Sequence, residues 1–307
     1  MPTLEKITIY PVKSLDGLDL GQCGVLPARA LENDRRWRLV DMDGRVINAK
    51  RSPLFSAIRA EFDLSERLVA LWLEPAALTS KAFPETDLVR LRSLAGPSDT
   101  RMGRESFHLE PGKGGPCGWL SEVFGVGVLL QERADGGFPD DRDAAGPTLI
   151  SSATLTEVAR WFGFDLAEAR RRFRVNLEIG DCDACWEDTL ASPVRPQLPL
   201  SVFDLPAELA ADPYADRPPP EPRDFSISDI KFRATNVCRR CVVPTRDSRT
   251  GAVTEHFRDA FEARRGRGMR ADVDASGWGS LYRLAINTRL LEAPGGVLAV
   301  GSPLATH

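Results

Sequence analysis

Short segments that alternate polar and apolar side chains dominate the first 75 residues, and turn signals separate them. Such alternation directs every second side chain to one face of a β-strand. Asp43-Gly44 lies between two of the segments and is typical of a hairpin turn. The predicted strands cover residues 6–10, 37–41, 45–49, 57–62 and 68–73. Short strands at this spacing favour a barrel or a sandwich.

The rest of the chain combines helices with further strands. Apolar side chains at helical spacing predict helices over 115–124, from Thr154 onward with that residue as N-cap, and over 166–172. Strands are predicted over 125–130, 173–179, 225–234, 280–286 and 297–300. The chain is therefore predicted to be mainly β with some helices, an α+β fold.

Two domains are expected, because 307 residues are enough for two of ordinary size. We place the boundary at residue 125, with a smaller amino-terminal domain over 1–125 and a second domain over 126–307. Nine prolines lie between residues 192 and 222. Since proline cannot donate a hydrogen bond to a sheet, this segment is predicted to be an extended surface insertion or linker within the second domain.

Charge and hydropathy exclude several classes of function. The formal net charge of -4 argues against a general nucleic-acid binder or a protein that binds anionic membranes, because both need a basic face. No stretch approaches the roughly 20 apolar residues of a membrane helix, and no signal peptide is visible. The expected compartment is the cytoplasm, where cysteines rarely form disulfides.

Four of the six cysteines form two CxxC pairs, 182–185 and 238–241. Four thiolates fit the tetrahedral shell of structural zinc, although the gap between the pairs exceeds that of compact zinc ribbons. Arg239 and Arg240 lie between the cysteines of the second pair and favour a thiolate there. Cys238 has a second interpretation, as a free cysteine in a strand core. Residues alone leave zinc, core packing and another metal open.

Residues that bind anions recur near predicted strand ends. Arginine, lysine and hydroxyl side chains are the groups that hold a phosphate. These residues are Lys13, Ser14, Arg35, Arg36, Lys50, Arg51, Arg174 and Asn176. Together they predict a phosphate-binding site.

Several of these segments resemble a known family. Residues 10–14 and 34–37 resemble the amino-terminal β-barrel module that precedes MOSC (molybdenum cofactor sulfurase carboxy-terminal) domains. Residues 173–179 are similar to the family's R-P-N strand, with Val175 in place of proline. Residues 240–251 resemble its R-C-x-x-x-T-x-D and T-G signature. The chain is thus similar to MOSC proteins with this module, relatives of the mitochondrial amidoxime reducing component and the bacterial hydroxylaminopurine-detoxifying proteins.

The resemblance implies a β-barrel MOSC domain that binds the molybdenum cofactor, a molybdopterin with one protein thiolate on molybdenum. That metal ligand and catalytic thiolate falls on Cys241. Binding of pyridoxal phosphate is a further family property. The implied activity is reduction of small N-hydroxylated substrates, with electrons from a separate electron-transfer protein or reductase. The cofactor-binding positions are Lys13, Ser14, Arg35, Lys50, Arg174, Asn176, Arg239 and Arg240.

Some positions depart from the family pattern or allow two interpretations. Ala144 and Ala145 stand where relatives have hydroxyl residues, and Arg239 replaces a small polar residue. Asp247 is the candidate for catalytic proton delivery, but it is also the residue that opens a turn. The resemblance also allows a second hypothesis, a carrier of sulfur or of the cofactor without catalysis. Structural zinc on the two cysteine pairs is a third hypothesis.

Overall fold

The computed structural model describes residues 1–27, 30–95, 103–141, 144–191, 223–292 and 295–307. The predicted proline-rich insertion at 192–222 lies outside these residues. The elements up to residue 132 are β1 (Thr3–Ile9), β2 (Leu18–Leu20), β3 (Gln22–Gly24), β4 (Trp37–Asp41), β5 (Val46–Ile47), β6 (Ile58–Asp63), β7 (Leu68–Leu73), α1 (Glu85–Ala95), β8 (Glu105–His108), α2 (Cys117–Phe124) and β9 (Val128–Glu132). The later elements are β10 (Leu149–Ser151), α3 (Ser152–Phe162), α4 (Leu166–Phe173), β11 (Leu177–Gly180), β12 (Asp224–Ile227), β13 (Ile230–Arg239), α5 (Phe257–Arg267), β14 (Arg283–Glu292), β15 (Val297–Ala299) and β16 (Leu304–Thr306).

The largest sheet has the strand order β16-β12-β13-β14-β10-β11-β1-β2. Strands β10 and β11 are parallel, and α3 and α4 connect them. The two longest strands of this sheet, β13 and β14, are antiparallel, with irregularities in register that include the step between Val237 and Arg239. Because a bulge changes the direction of the side chains beside it, this pair can present several polar residues to one side.

Three smaller sheets complete the described strands, in the orders β5-β4-β9, β6-β7-β8 and β15-β3. Main-chain pairing crosses residue 125 in both directions: β1 pairs with β11 in the large sheet, and β9 pairs with β4. The boundary predicted at 125 stays a prediction. The turns of the first 50 residues are thereby held against the β11 end of the large sheet.

Three clusters of buried apolar side chains stabilise these layers. One lies among β4, β6, β7, α1 and α2 and includes Trp37 and Leu91. A second fills one side of the large sheet around Phe225 and Phe232, whose rings stack 5.4 Å apart. The third packs α3, α4 and α5 against the other side. The burial of these side chains removes apolar area from water, the main term that favours folding.

The structure confirms the α+β class and most predicted strands. The N-cap prediction was wrong: Ser151 is the N-cap, because its side chain accepts a hydrogen bond from the Thr154 amide. The strand predicted over 173–179 begins later, at Leu177, since residue 173 still belongs to α4. Helices α1 and α5 were not predicted. No helix in the described ranges is both long and apolar enough to cross a bilayer.

Candidate functional site

A cavity of about 570 Å³ opens between β13, β14, the segment before β11 and the turns of the first 50 residues. Nine of the ten predicted site residues line it. They are Lys13, Ser14, Arg35, Lys50, Arg174, Asn176, Arg239, Arg240 and Cys241. The structure therefore brings together residues that are more than 200 positions apart in sequence. Ala144 and Ala145 also line the cavity.

Three of the lining residues have left-handed backbone conformations, with φ of 78° at Ser14, 50° at Arg35 and 52° at Arg174. Non-glycine residues avoid this region, and clusters of them mark functional sites more often than ordinary turns. Main-chain hydrogen bonds from Arg35 to Tyr10 and from Lys13 to Trp37 tie the two amino-terminal turns together. The strained conformations are thus held by the surrounding strands.

Asn176 connects the amino-terminal turns with the large sheet. Its buried side-chain amide donates to the Thr8 carbonyl at 3.0 Å, and its Oδ1 accepts from Arg35 Nη1 at 3.1 Å. Oδ1 also accepts from the hydroxyl and the amide of Thr148 at 3.0 and 3.2 Å. One side chain therefore positions Arg35 relative to the β10–β11 edge of the sheet.

Two arginines of the cavity lie against the ring of Tyr10. The guanidinium carbon of Arg174 lies 4.0 Å from the ring centroid, and that of Arg35 lies 5.2 Å from it. Burial raises the pKa of Tyr10 to about 12, so its hydroxyl stays neutral and donates to the Val175 carbonyl. Burial also lowers the pKa of Arg174. Among the described residues no carboxylate forms an ion pair with Arg174.

The loop after β9 reaches the end of the cavity that contains Lys13 and Arg35. Gly137 has φ of 62°, and a Cβ there would lie 2.5 Å from the Asp34 carbonyl oxygen, so the close approach requires glycine. Further along the loop, Asp140 accepts from Lys13 at 2.9 Å and lies 3.4 Å from Lys50 Nζ. Although burial opposes ionisation, Lys13, Lys50 and Arg35 hold the pKa of Asp140 well below its usual range.

Cysteines 238 and 241 have different surroundings. Cys238 is buried in the core, and its thiol donates to Asn287 Oδ1 at 2.9 Å. Burial raises the pKa of Cys238 to about 11, which favours the neutral thiol. Cys241 is partly exposed and lines the cavity. Both cysteines line the cavity, and Cys241 is the more exposed of the two.

Arg240 lies beside Cys241 and is fixed from two directions. It donates to the carbonyls of Phe173 and Leu284. Its Nε is buried and has no hydrogen-bond partner among the described residues. An unpaired buried donor is costly, and Arg59 and Arg265, outside this cavity, also contain such an Nε. The positive charge of the lining and the partly exposed Cys241 would suit an anionic ligand with a thiolate-bound metal.

Asp247 is the predicted site residue that does not line this cavity. Its Oδ1 accepts from the Arg249 and Thr250 amides and from the Thr250 hydroxyl. These bonds lower the pKa of Asp247 against the effect of burial, and they close the turn that it opens. Its predicted catalytic role stays a prediction.

The two CxxC pairs do not form one site. Cys185 Sγ lies 2.6 Å from Arg265 Nη1 in a buried cluster that also contains Asp188 and Glu187. Across the described ranges, no group of three or more histidine, cysteine, aspartate or glutamate side chains is placed to hold a metal ion. The hypothesis of structural zinc therefore gains no support from this geometry.

Several lining residues were not predicted from the sequence. They are Asp140, Asp141, Thr148, Asn236, Arg283 and Asn287. A signal was present for two of them: Asn236 and Asn287 are polar residues inside long strands, and they pair across β13 and β14. Asp140 carried no such signal, because it lies in a loop rich in aspartate and glycine.

Comparison with known proteins agrees with the sequence resemblance. Residues 1–94 match the MOSC N-terminal beta barrel domain. The chain is also similar to proteins named molybdenum cofactor sulfurase. Those of Drosophila erecta and Drosophila melanogaster are each 25% identical over 263 residues, which cover 81% of this chain. That of Drosophila grimshawi is 27% identical over 191 residues, 58% of this chain and 24% of that protein.

The segment that matches the MOSC N-terminal beta barrel domain contributes Lys13, Ser14, Arg35 and Lys50 to the cavity. Cys241 and the remaining predicted residues come from later in the chain. The matched segment of the two 25%-identical sulfurases is 28% of their length. The match and the similarity confirm the resemblance. Because the match covers only part of these longer relatives, it does not assign their activity to this chain.

Proposed function

We propose that this protein binds the molybdenum cofactor and reduces small N-hydroxylated compounds. The observation that carries the proposal is the position of Cys241, an accessible thiol in a cavity lined by arginine and lysine side chains. Similarity to proteins named molybdenum cofactor sulfurase supports a role connected with this cofactor.

The residues have distinct roles in this proposal. Lys13, Ser14, Arg35 and Arg174 surround the end of the cavity suited to the cofactor's phosphate, because they combine positive charge with a hydroxyl. Cys241 is the ligand of the metal. Arg240, next to it in the lining, contributes positive charge there, and its terminal nitrogens are held by the carbonyls of Phe173 and Leu284.

Reduction of a hydroxylamine to an amine and water consumes two electrons and two protons. The bound cofactor supplies a metal that can accept and release an electron pair. The arginine and lysine side chains of the cavity offset the negative charge of the bound cofactor and of the thiolates on its metal. A separate electron-transfer protein or reductase is part of the proposal, as is a cytoplasmic location. Pyridoxal phosphate binding stays a prediction.

The test is the metal content of protein produced in a host that makes the cofactor. Cys241→Ser is expected to lose most of its molybdenum. Cys238→Ser, which changes the buried cysteine of the same pair, is the matched control and is expected to retain it. Equal molybdenum in wild type and Cys241→Ser would contradict the ligand assignment. Loss in both variants would point to general damage at this end of β13.

A second candidate is a carrier that holds the cofactor or sulfur without reducing a substrate. The name sulfurase on the similar proteins links them to sulfur and this cofactor and does not name a reduction. The two candidates differ in turnover of a hydroxylamine with an artificial electron donor. Bound molybdenum with turnover supports the reductase, and bound molybdenum without turnover supports the carrier.

A further inference from the structure

Two arginines face each other at the Cys241 end of the cavity. Arg239 on β13 and Arg283 on β14 are direct partners in the antiparallel register, and both line the cavity. Like charges directly opposite each other destabilise a strand pair. The cost is reduced if an anion binds between or above them.

Arg283 cannot move away from this contact. Its Nε and Nη2 donate to the Trp278 carbonyl at 3.0 and 2.7 Å, and its Nη1 donates to the Val237 carbonyl at 2.8 Å. Burial lowers the pKa of Arg283, and the charge of Arg239 lowers it further. Arg283 therefore supplies a positive charge at a fixed position, and most of its N–H donors are already bonded to backbone carbonyls.

Arg239 is exposed, and within the described ranges its guanidinium has neither a hydrogen-bond acceptor nor an ion-pair partner. It lies at the solvent side of the cavity, two residues before the Cys241 thiol. A free guanidinium fork matches the two oxygens of a carboxylate, and the repulsion from Arg283 strengthens its attraction for an anion. Arg240 differs, because its terminal nitrogens are already bonded to carbonyls.

We propose that the substrate of this cavity carries a carboxylate, which Arg239 binds at the entrance in the field of Arg283. This rests on the proposed function, since it names a class of substrate for the same site. Arg239 is a specificity-determining residue in this scheme. The carboxylate then stays at the entrance beside Arg239, and the N-hydroxyl group extends inward from it.

The test uses N-phenylhydroxylamine and 4-(hydroxyamino)benzoate, which differ only in the carboxylate. Dissociation constants are measured by calorimetry for the wild type, Arg239→Ser, Arg239→Lys and Arg267→Ser. Arg267 is an exposed arginine at the end of α5, outside the cavity lining, and is the matched control. The wild type should bind the benzoate about tenfold more tightly than the neutral compound, the value for one well-placed charge pair.

In Arg239→Ser this ratio should fall to near one. In Arg239→Lys it should be intermediate, because the charge stays but the fork is lost. Arg267→Ser should keep the wild-type ratio. A wild type without preference for the benzoate, or a preference that survives Arg239→Ser, would overturn the inference.

Molybdenum content is measured on the same samples. If Arg239→Ser loses molybdenum as Cys241→Ser does, Arg239 serves the cofactor and the inference fails. If the wild type and Cys241→Ser contain equal molybdenum, the proposed function fails instead. A carboxylate preference that depends on Arg239 would still stand in that case, because it is measured as binding and not as turnover.

Discussion

The carboxylate of Asp140 lies 2.9 Å from Nζ of Lys13, so the end of the cavity around Lys13 already contains an anion supplied by the chain. Lys50 shares the same carboxylate at 3.4 Å. A ligand phosphate that uses Lys13 must compete with Asp140 or displace it. The affinity of this end for anions therefore depends on how firmly the loop after β9 holds Asp140 in place.

Asp140→Asn should raise the affinity for inorganic phosphate and pyrophosphate by about five- to tenfold, because it removes the competing charge near Lys13 and Lys50. Calorimetry at low ionic strength measures the change. Asp135→Asn is the control, since Asp135 is exposed on the same loop and pairs with Arg133. Unchanged or weaker binding in Asp140→Asn would show that the carboxylate does not compete.

Tyr10→Leu should weaken phosphate binding by about five- to tenfold, because two cation–π contacts that position Arg35 and Arg174 are lost. Tyr10→Phe keeps the ring and should bind phosphate nearly as the wild type does. Both variants lose the hydroxyl bond to Val175, so their comparison isolates the ring face. Equal binding by the two variants would contradict this role.

Asn176→Ala should lower the free energy of unfolding by about 2–4 kcal/mol, because it leaves buried donors and acceptors on Thr8 and Thr148 without a partner. Urea denaturation measures this. Asn48→Ala is a milder change, since Asn48 is only partly buried and bonds within its own turn. A loss below about 1 kcal/mol at Asn176 would mean that water replaces its bonds.

The buried carboxyl group of Glu187 is expected to make the free energy of unfolding depend on pH. Burial, reinforced by Asp188, raises the pKa of Glu187 from 4.5 to about 8. A raised pKa means that folding favours the protonated carboxyl, so its stabilising contribution is complete below pH 4.5 and is lost as pH rises through about 8. The free energy of unfolding should therefore fall by a few kcal/mol over this window, roughly in proportion to the shift.

Glu187→Gln should remove most of that slope, because glutamine has no proton to lose. The measurement is urea denaturation at several pH values from about 3.5 to about 9, an interval that spans both pKa values. Glu157→Gln is the control on α3, where the carboxylate is partly exposed and pairs with Arg160. Parallel profiles for wild type and Glu187→Gln would show that Glu187 does not ionise in this range.

Local sequence patterns predicted most elements correctly, and the errors have local physical causes. The helix start was placed on Thr154, although Ser151 is the residue whose side chain accepts from a free amide of the first turn. Either residue is a good N-cap by type. The choice depends on where β10 ends, which its pairing with β11 decides.

Most of the residues predicted for the site lie in the cavity lining, and one does not. Residue types and the family resemblance placed Lys13, Arg35, Arg174 and Cys241 near one ligand, and the structure places all four in the lining. Asp247 was also a candidate, but its hydrogen bonds close a turn outside the main cavity. A carboxylate's role depends on which donors the fold puts around it.

The sequence by itself determined the α+β class and most of the charged residues of the site, because alternation, turn residues and charge are local properties of the chain. Only the tertiary structure decided that Asp140 is the counter-ion of Lys13 and that Arg239 opposes Arg283. Both relations join residues far apart in sequence. They depend on strand register and loop path, which follow from the packing of the whole chain.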